Sequence, residues 1–185
     1  MTRDTRIELG LEELRAVTAY AVACARLVLP VFEACRPADM RPSAAVEAGR
    51  AFADGARRSR VLRECAWAAL RSAREAADAG EIAAGQVARA AAAAAGAAYL
   101  HPLADATQVK HILGSAAHAA RAIELSGEGE ADGHLATLRD LATPLVASVL
   151  RRYPAAPPGG GRVGELMREL DRTVRGPGVT EDPSR

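Results

Sequence analysis

Histidines are the side chains of this sequence best suited to acid–base or metal chemistry, and the chain has four of them. His111 and His118 are seven residues apart on a predicted helix over residues 105–124, so they share a face nearly opposite its apolar stripe. A zinc site on one helix uses histidines three or four residues apart, whereas seven residues span about 10 Å along the axis. The spacing favours a polar face or a second interface, and we expect no bound metal or cofactor. Asp105 and Thr107 are better explained as helix caps than as catalytic groups.

Arginines offer a second kind of chemistry, because the run over residues 57–63 could bind phosphate. The segment 41–63 contains six arginines against two acidic residues, Glu47 and Asp54. No aromatic platform interleaves them, as it would in a surface that stacks nucleic-acid bases. The whole chain has a formal net charge of only +1, whereas nucleic-acid binders normally carry a large basic excess. We therefore interpret the run as a solvated helix face and expect no specific nucleic-acid partner.

Known catalytic motifs are not found. A phosphate-binding loop needs a Gly-Lys pair, but the sole lysine, Lys110, follows Val109, and no Gly-x-Ser-x-Gly motif occurs. The three cysteines, Cys24, Cys35 and Cys65, lack the spacing of metal ligands. The first two would lie roughly 16 Å apart on one helix, too far for a disulfide. The sequence thus predicts a non-enzymatic protein whose cysteines are reduced, buried and used for packing.

The composition predicts an all-α fold. The 185 residues include 44 alanines and only six aromatic residues, and alanine is the strongest helix former. We predict a single-domain orthogonal or antiparallel helical bundle of about six to eight helices. The chain divides into an alanine-rich bundle (1–153), a Pro/Gly linker (154–161), a C-terminal amphipathic helix docking on the bundle (162–175) and a disordered tail (176–185).

Helical spacing of apolar residues predicts helices over about 11–36, 42–53, 57–79, 81–99, 105–124, 135–153 and 162–175. In the first helix Gly10 and Glu13 resemble an N-terminal cap pair, and Pro30 should kink the helix or split it in two. Pro144 should kink the sixth helix. The fourth is nearly all alanine, which lets its neighbours approach closely. The predicted core face of the third helix consists of Val61, Leu62, Cys65, Trp67, Ala69, Leu70, Ser72 and Ala76.

Neither a signal peptide nor a membrane span is expected. Residues 1–10 mix acidic and basic side chains, without an apolar run behind a basic start. The longest uncharged run of small apolar residues, 90–100, is much shorter than the roughly 20 residues that a span needs. We therefore expect a cytoplasmic protein.

Several short stretches of the first half resemble one family. They are CAR (24–26), LPVFE (29–33), RPADMRP (36–42), AVEA (45–48) and RAF (50–52). An alanine-rich helix ending in AAY (97–99) and a helix with His111 and HAA (118–120) also fit. Over roughly residues 10–152 the chain resembles the Imm-5-like immunity proteins of bacterial polymorphic toxin systems. Similar short proteins are sometimes labelled as an SbcC-type exonuclease, a large coiled-coil ATPase, but this chain has neither that length nor its phosphate loop.

The resemblance implies a non-enzymatic cytoplasmic protein that binds and neutralises a cognate toxin domain, and it leaves a homodimer open. The family has no agreed catalytic residues, so none is carried over. The binding surface should be exposed rather than alanine-packed, which indicates the connection 36–42, the acidic loop 126–133 and the histidine face. The candidate partner-binding residues are Arg41, His111, His118, Glu128, Glu130 and Asp132.

Two other functions stay open on the sequence alone. A helical protein that binds a small ligand or a metal could use His101, His111 and Asp105, and a metal analysis of the purified protein would separate this case. A nucleic-acid-associated protein could use the arginine run 57–63, and its binding would depend strongly on salt.

Overall fold

The computed structural model describes residues 6–127 and 131–176, with the backbone alone at 131 and 132. Within these residues it contains no strand and eight α-helices: α1 (Leu11–Cys35), α2 (Arg41–Ala53), α3 (Arg60–Asp78), α4 (Ile82–Gly96), α5 (Val109–Ser126), α6 (Ala131–Asp140), α7 (Pro144–Arg151) and α8 (Gly161–Arg175). Short 3₁₀ turns, Ala97–Tyr99 and Ala106–Gln108, follow α4 and precede α5. The predicted single all-α bundle of six to eight helices is confirmed.

Helix α4 lies at the centre of the bundle, in contact with α1, α2, α3 and α5. Nine of its residues are buried, and each of them is alanine, glycine or valine. Because these side chains are small, several helices can approach α4 at the short end of the usual 8–10 Å range of axis separations. The alanine-rich stretch of the sequence is therefore the core of the fold.

Two glycines mark the closest contacts between helices. A Cβ atom at Gly49 of α2 would lie 3.0 Å from Val22 Cγ2 of α1 and 3.4 Å from the Ala94 carbonyl oxygen of α4. A Cβ atom at Gly85 of α4 would lie 3.2 Å from the Ala73 carbonyl oxygen of α3. Neighbouring backbone thus occupies the space that a side chain would need, which is why glycine suits both positions.

Helix α1 runs unbroken through Pro30, so proline does not split it. Pro30 is exposed, and its ring and missing N–H therefore face solvent rather than the core. The predicted cap pair is confirmed, because the Gly10 N–H donates to Glu13 Oε2 at 2.8 Å. By length and hydropathy alone α1 could cross a membrane. Ten of its residues are buried against the rest of the bundle, which accounts for its apolar composition.

The segment predicted as one helix over residues 135–153 is two helices, α6 and α7, so that prediction is wrong. Thr143 is extended, as expected for a residue that precedes proline. Its hydroxyl accepts a hydrogen bond from the Val146 N–H at 3.3 Å, and Pro144 occupies the first turn of α7. Proline therefore starts a helix here instead of kinking one. The acidic loop is also shorter than predicted, because α6 begins at Ala131.

Helix α3 exposes part of the face that was predicted to be core. Val61, Trp67 and Leu70 are 60%, 64% and 37% exposed, so their assignment to the core is wrong. The buried side chains of α3 are Leu62, Ala69, Ser72, Ala73 and Ala76. At about 100° per residue, Trp67 lies roughly 160° around the helix from Ala69, on the opposite side. The prediction that Trp67 is buried rests on its apolar side chain and not on its angular position around α3.

Helix α8 packs against α5, α6 and α7, and the linker before it is held by the buried Asp171. Asp171 accepts hydrogen bonds from the Ala156 N–H at 3.0 Å and from Arg175 Nε at 2.7 Å. Arg175 also donates to the Tyr153 carbonyl oxygen at 3.0 Å. Arg168 of α8 donates to the Pro157 and Gly159 carbonyl oxygens at 3.1 and 2.8 Å, so one carboxylate and two guanidinium groups fix the linker to α8. Of the predicted tail 176–185, only Gly176 lies among the described residues.

Candidate partner-binding surface

The connection between α1 and α2 is organised around Asp39, whose side chain is 14% exposed. Its carboxylate accepts two hydrogen bonds from the Arg41 guanidinium, at 2.8 and 2.7 Å, and one from the Arg41 backbone N–H at 3.1 Å. It also accepts a hydrogen bond of 2.7 Å from the hydroxyl of Ser72, a fully buried residue of α3. One carboxylate therefore ties together the connection, the first turn of α2 and the inner face of α3.

The other charges of this connection are also paired inside the protein. The Arg41 hydrogen bonds hold the pKa of Asp39 well below its usual range, because they outweigh the opposite effect of burial. Arg41 binds Glu75 of α3 as well, and the hydrogen bonds to Glu75 and Asp39 raise the pKa of Arg41. Arg36 is paired with Glu81. The structure thus engages Arg41 internally, and its predicted role toward a partner stays a prediction.

Met40 is the side chain that this connection presents outward, at 64% exposed. It lines an open depression of about 730 Å³ together with its neighbours from Arg36 to Arg41 and with Ala44. A methionine is flexible and polarisable, so it adapts readily to an apolar partner surface. Within the connection 36–42, contact with another protein is therefore available through Met40 more than through Arg41.

His111 and His118 lie on one side of α5, as predicted, but that side is half-buried against α4. His111 Nδ1 is 3.1 Å from the Gly96 carbonyl oxygen, and His118 Nδ1 is 2.7 Å from Gln86 Oε1. Both partner atoms are acceptors, so we assign the ring proton to Nδ1 in each histidine. Burial lowers the pKa of His111, and burial followed by the nearby Arg89 lowers the pKa of His118 to about 4. Both rings are neutral at pH 7.

His118 also lines a cleft of about 590 Å³ formed by α4, α5 and the start of α8. Arg89 and Lys110 line the same cleft. Two cations beside a neutral imidazole can accommodate a carboxylate from a partner. The cleft, rather than an open helix face, is thus where His118 could meet another molecule, and that contact stays a prediction.

The acidic loop can be followed only in part. Glu128 and Glu130 lie outside the described residues. Asp132 belongs to α6, where its backbone alone is described. Their predicted part in partner binding therefore remains a prediction from the sequence.

The geometry gives no support to a metal site built on His101, His111 and Asp105. Asp105 accepts a hydrogen bond from the Thr107 N–H at 2.7 Å and caps the turn before α5, which confirms the capping prediction for Asp105, whereas Thr107 supplies the capped N–H. His111 is already bonded to the Gly96 carbonyl oxygen. Across the described ranges, no group of three or more His, Cys, Asp or Glu side chains could hold a metal ion.

Trp67 is the surface residue that sequence reasoning missed. It lies on the outward side of α3, in a shallow depression of about 470 Å³. The other residues that line this depression are Arg60, Arg63, Glu64 and Arg71. The signal was present in the sequence, because these charged residues and Trp67 recur every three or four positions and so define one polar helix face.

These features define a small all-α bundle with an alanine-packed centre, in which the ionic groups of the α1–α2 connection are paired internally. The family model described as Imm-5 like putative immunity protein matches residues 8–141, which is more than half of the chain. The chain belongs to this family. Neither the search of curated proteins nor the search of solved structures found a match.

Proposed function

We propose that this chain is an immunity protein that binds and neutralises a cognate protein toxin without catalysing a reaction. The observation that carries the proposal is the family match over residues 8–141. That segment contains the Asp39 connection and most of the bundle, from α1 to α6. Inhibition by binding needs a rigid, folded surface more than a reactive group, since preorganisation limits the entropy lost on association.

The proposed compartment is the cytoplasm, and the cysteines support this part of the proposal. All three are free thiols, but only Cys24 is buried; Cys65 is half-buried and Cys35 is exposed, so the prediction of buried packing residues is wrong for Cys35. Cys24 is buried in α1, where burial raises the pKa of its thiol to about 12, so it remains protonated and unreactive. Free thiols of this kind are typical of proteins in reducing compartments.

Growth rescue tests the proposed function. The chain is co-expressed with the toxin domain encoded next to it, and survival is compared with cells that carry an empty vector. We expect rescue, together with a one-to-one complex on size-exclusion chromatography. Continued killing by the toxin, with the chain shown to be soluble and helical by circular dichroism, would contradict the proposal.

The acidic residues can be tested in the same assay. If they mimic a negatively charged substrate of a basic toxin, Glu128→Lys combined with Glu130→Lys should weaken the complex and its affinity should respond to salt. Glu165→Lys on α8, an exposed position outside the loop, is the matched control. Unchanged toxin affinity in the double variant would remove the acidic loop from the interface.

A further inference from the structure

The outward side of α3 carries a compact row of large side chains. Arg60, Arg63, Trp67, Arg71 and Arg74 fall within about 80° of the helix circumference and span roughly 21 Å along its axis. All five are exposed. They are called the Arg–Trp face below. None of them contributes to the buried side of α3, so the fold does not account for their presence.

The Arg–Trp face has a surplus of positive charge. Two acidic residues share this side of α3 with the four arginines: Glu64, which pairs with Arg60 at 2.6 Å, and Asp78, which lies four positions after Arg74. Across residues 6–127 and 131–176, no acidic group lies within salt-bridge distance of Arg63, Arg71 or Arg74. In contrast, the arginines of the α1–α2 connection are paired with carboxylates. A partner surface that carries carboxylates would complement these unpaired cations.

The centre of the face is organised for contact. Trp67 is 64% exposed, and it is the single tryptophan of the chain. Arg63 is held over the Tyr99 ring, with its guanidinium carbon 5.2 Å from the ring centroid, so its position is partly fixed before binding. Tryptophan and arginine are the residue types most enriched among those that dominate protein–protein binding energies. A fixed arginine beside an exposed indole reduces the entropy lost on association.

We infer that the Arg–Trp face is the surface by which this chain docks on its toxin, and that it meets an acidic patch there. This inference rests on the proposed function. A second copy of the chain is a poor occupant, because two such faces would oppose like charges. Nucleic acid is disfavoured by the near-neutral whole chain, with a net charge of +1. The aromatic ring next to the face, that of Tyr99, is stacked by Arg63 and so does not offer a free platform for a base.

The single tryptophan supplies a direct probe of this face. The chain is grown with 5-fluorotryptophan, so that its ¹⁹F spectrum reports on residue 67 alone. The toxin domain encoded beside it, made by cell-free synthesis, is then added without label. We expect the ¹⁹F resonance to shift on complex formation, and the affinity to fall as NaCl is raised from about 50 to about 500 mM, because salt screens the arginines.

Two variants test the face by affinity. Trp67→Ala should weaken toxin binding by about 30-fold or more, the effect of truncating a dominant interface residue. Arg71→Glu combined with Arg74→Glu should weaken it by at least about tenfold. Matched controls are Leu11→Ala, an exposed apolar side chain on α1, and Arg172→Glu, an exposed arginine on α8. Both controls should bind as the wild type does, and all variants should melt alike.

The outcomes separate this inference from the proposed function. If the wild-type chain neither binds the toxin nor rescues growth, the proposed function fails and the inference fails with it. If the wild type binds but the Trp67 and arginine variants bind equally well, only the inference is overturned. A ¹⁹F shift caused by short duplex DNA, or a dimer whose formation depends on Trp67, would also overturn it.

Discussion

Asp39→Ala tests whether the α1–α2 connection is a structural junction. In the structure the Asp39 carboxylate accepts hydrogen bonds from Arg41 and from the buried Ser72 hydroxyl. Alanine would leave that hydroxyl buried without an acceptor, which costs about 1–3 kcal/mol. It would also remove a negative charge that lies just before the N-terminus of α2, worth about 0.3–1 kcal/mol. The Arg41 guanidinium loses its hydrogen bonds to Asp39, but this should cost little free energy because it keeps its bond to Glu75. We expect a total destabilisation of about 2–3 kcal/mol.

Urea denaturation followed by circular dichroism measures this free energy of unfolding. The matched control is Asp54→Ala, since Asp54 is an exposed carboxylate paired only with Arg50, and its loss should cost less than about 0.5 kcal/mol. In a Ser72→Ala background, Asp39→Ala should cost at least about 1 kcal/mol less than in the wild type, because no hydroxyl is left unpaired. The junction would be refuted if Asp39→Ala lowered the free energy of unfolding no more than Asp54→Ala does. It would also be refuted if the effects of Asp39→Ala and Ser72→Ala simply added in the double variant.

Three further changes test the core, the histidine and the linker. Ala94→Leu should destabilise by about 1–3 kcal/mol through overpacking, because Ala94 is fully buried in α4; an unchanged melting temperature would contradict the central position of that helix. Between pH 7 and pH 5 the free energy of unfolding should fall by about 2 kcal/mol from His118 alone, because the unfolded state takes up a proton that folded His118 resists. In urea titrations His118→Gln should lose this part of the wild-type pH dependence, and an unchanged pH dependence would contradict it. Asp171→Ala should cost about 2 kcal/mol and raise protease cleavage of the linker, because it frees the Ala156 N–H; resistance equal to that of the wild type would count against the anchor.

The direction of the pH effect follows from the lowered pKa of His118. The ordinary pKa of histidine is 6.5, and in the folded protein burial and Arg89 lower that of His118 to about 4. Below pH 6.5 the unfolded chain therefore binds a proton that the folded chain does not, and stability falls until about pH 4. His111 acts in the same direction. The difference in pH dependence of the free energy of unfolding between His118→Gln and the wild type isolates the contribution of His118.

Much of the fold could be predicted because local spacing and composition agree with it. Alanine favours helices everywhere, and Gly10 with Glu13 marks the start of α1 in both sequence and structure. The close approach of other helices to α4 was predicted from its small side chains. The prediction failed where it rested on one residue type alone. Pro144 was expected to kink a helix, but proline also favours the first turn of a helix, and here it begins α7.

The candidate site was less predictable, because pairing partners come from distant helices. Arg41 has one partner close by in the sequence, Asp39, but its second partner, Glu75, lies 34 positions away on α3. His118 likewise meets Gln86, 32 positions earlier. No local pattern contains such contacts. Trp67 was misplaced for the opposite reason: its helical position indicated the surface, but its apolar side chain outweighed that indication.

The α1–α2 connection and the Arg–Trp face differ in how the fold uses their charged side chains. The stretch RPADMRP, by which the chain resembles its family, contains Asp39 and Arg41, and both hold the connection against α3. Asp39 and Arg41 therefore stabilise the fold, and because their charges are paired with each other and with α3, little unpaired charge is left for a partner. Trp67 and Arg71 lie on the other side of the same helix, where packing requires neither of them. An exposed tryptophan beside unpaired arginines does not stabilise the bundle, and this combination of residue types supports the inference that the Arg–Trp face binds a partner.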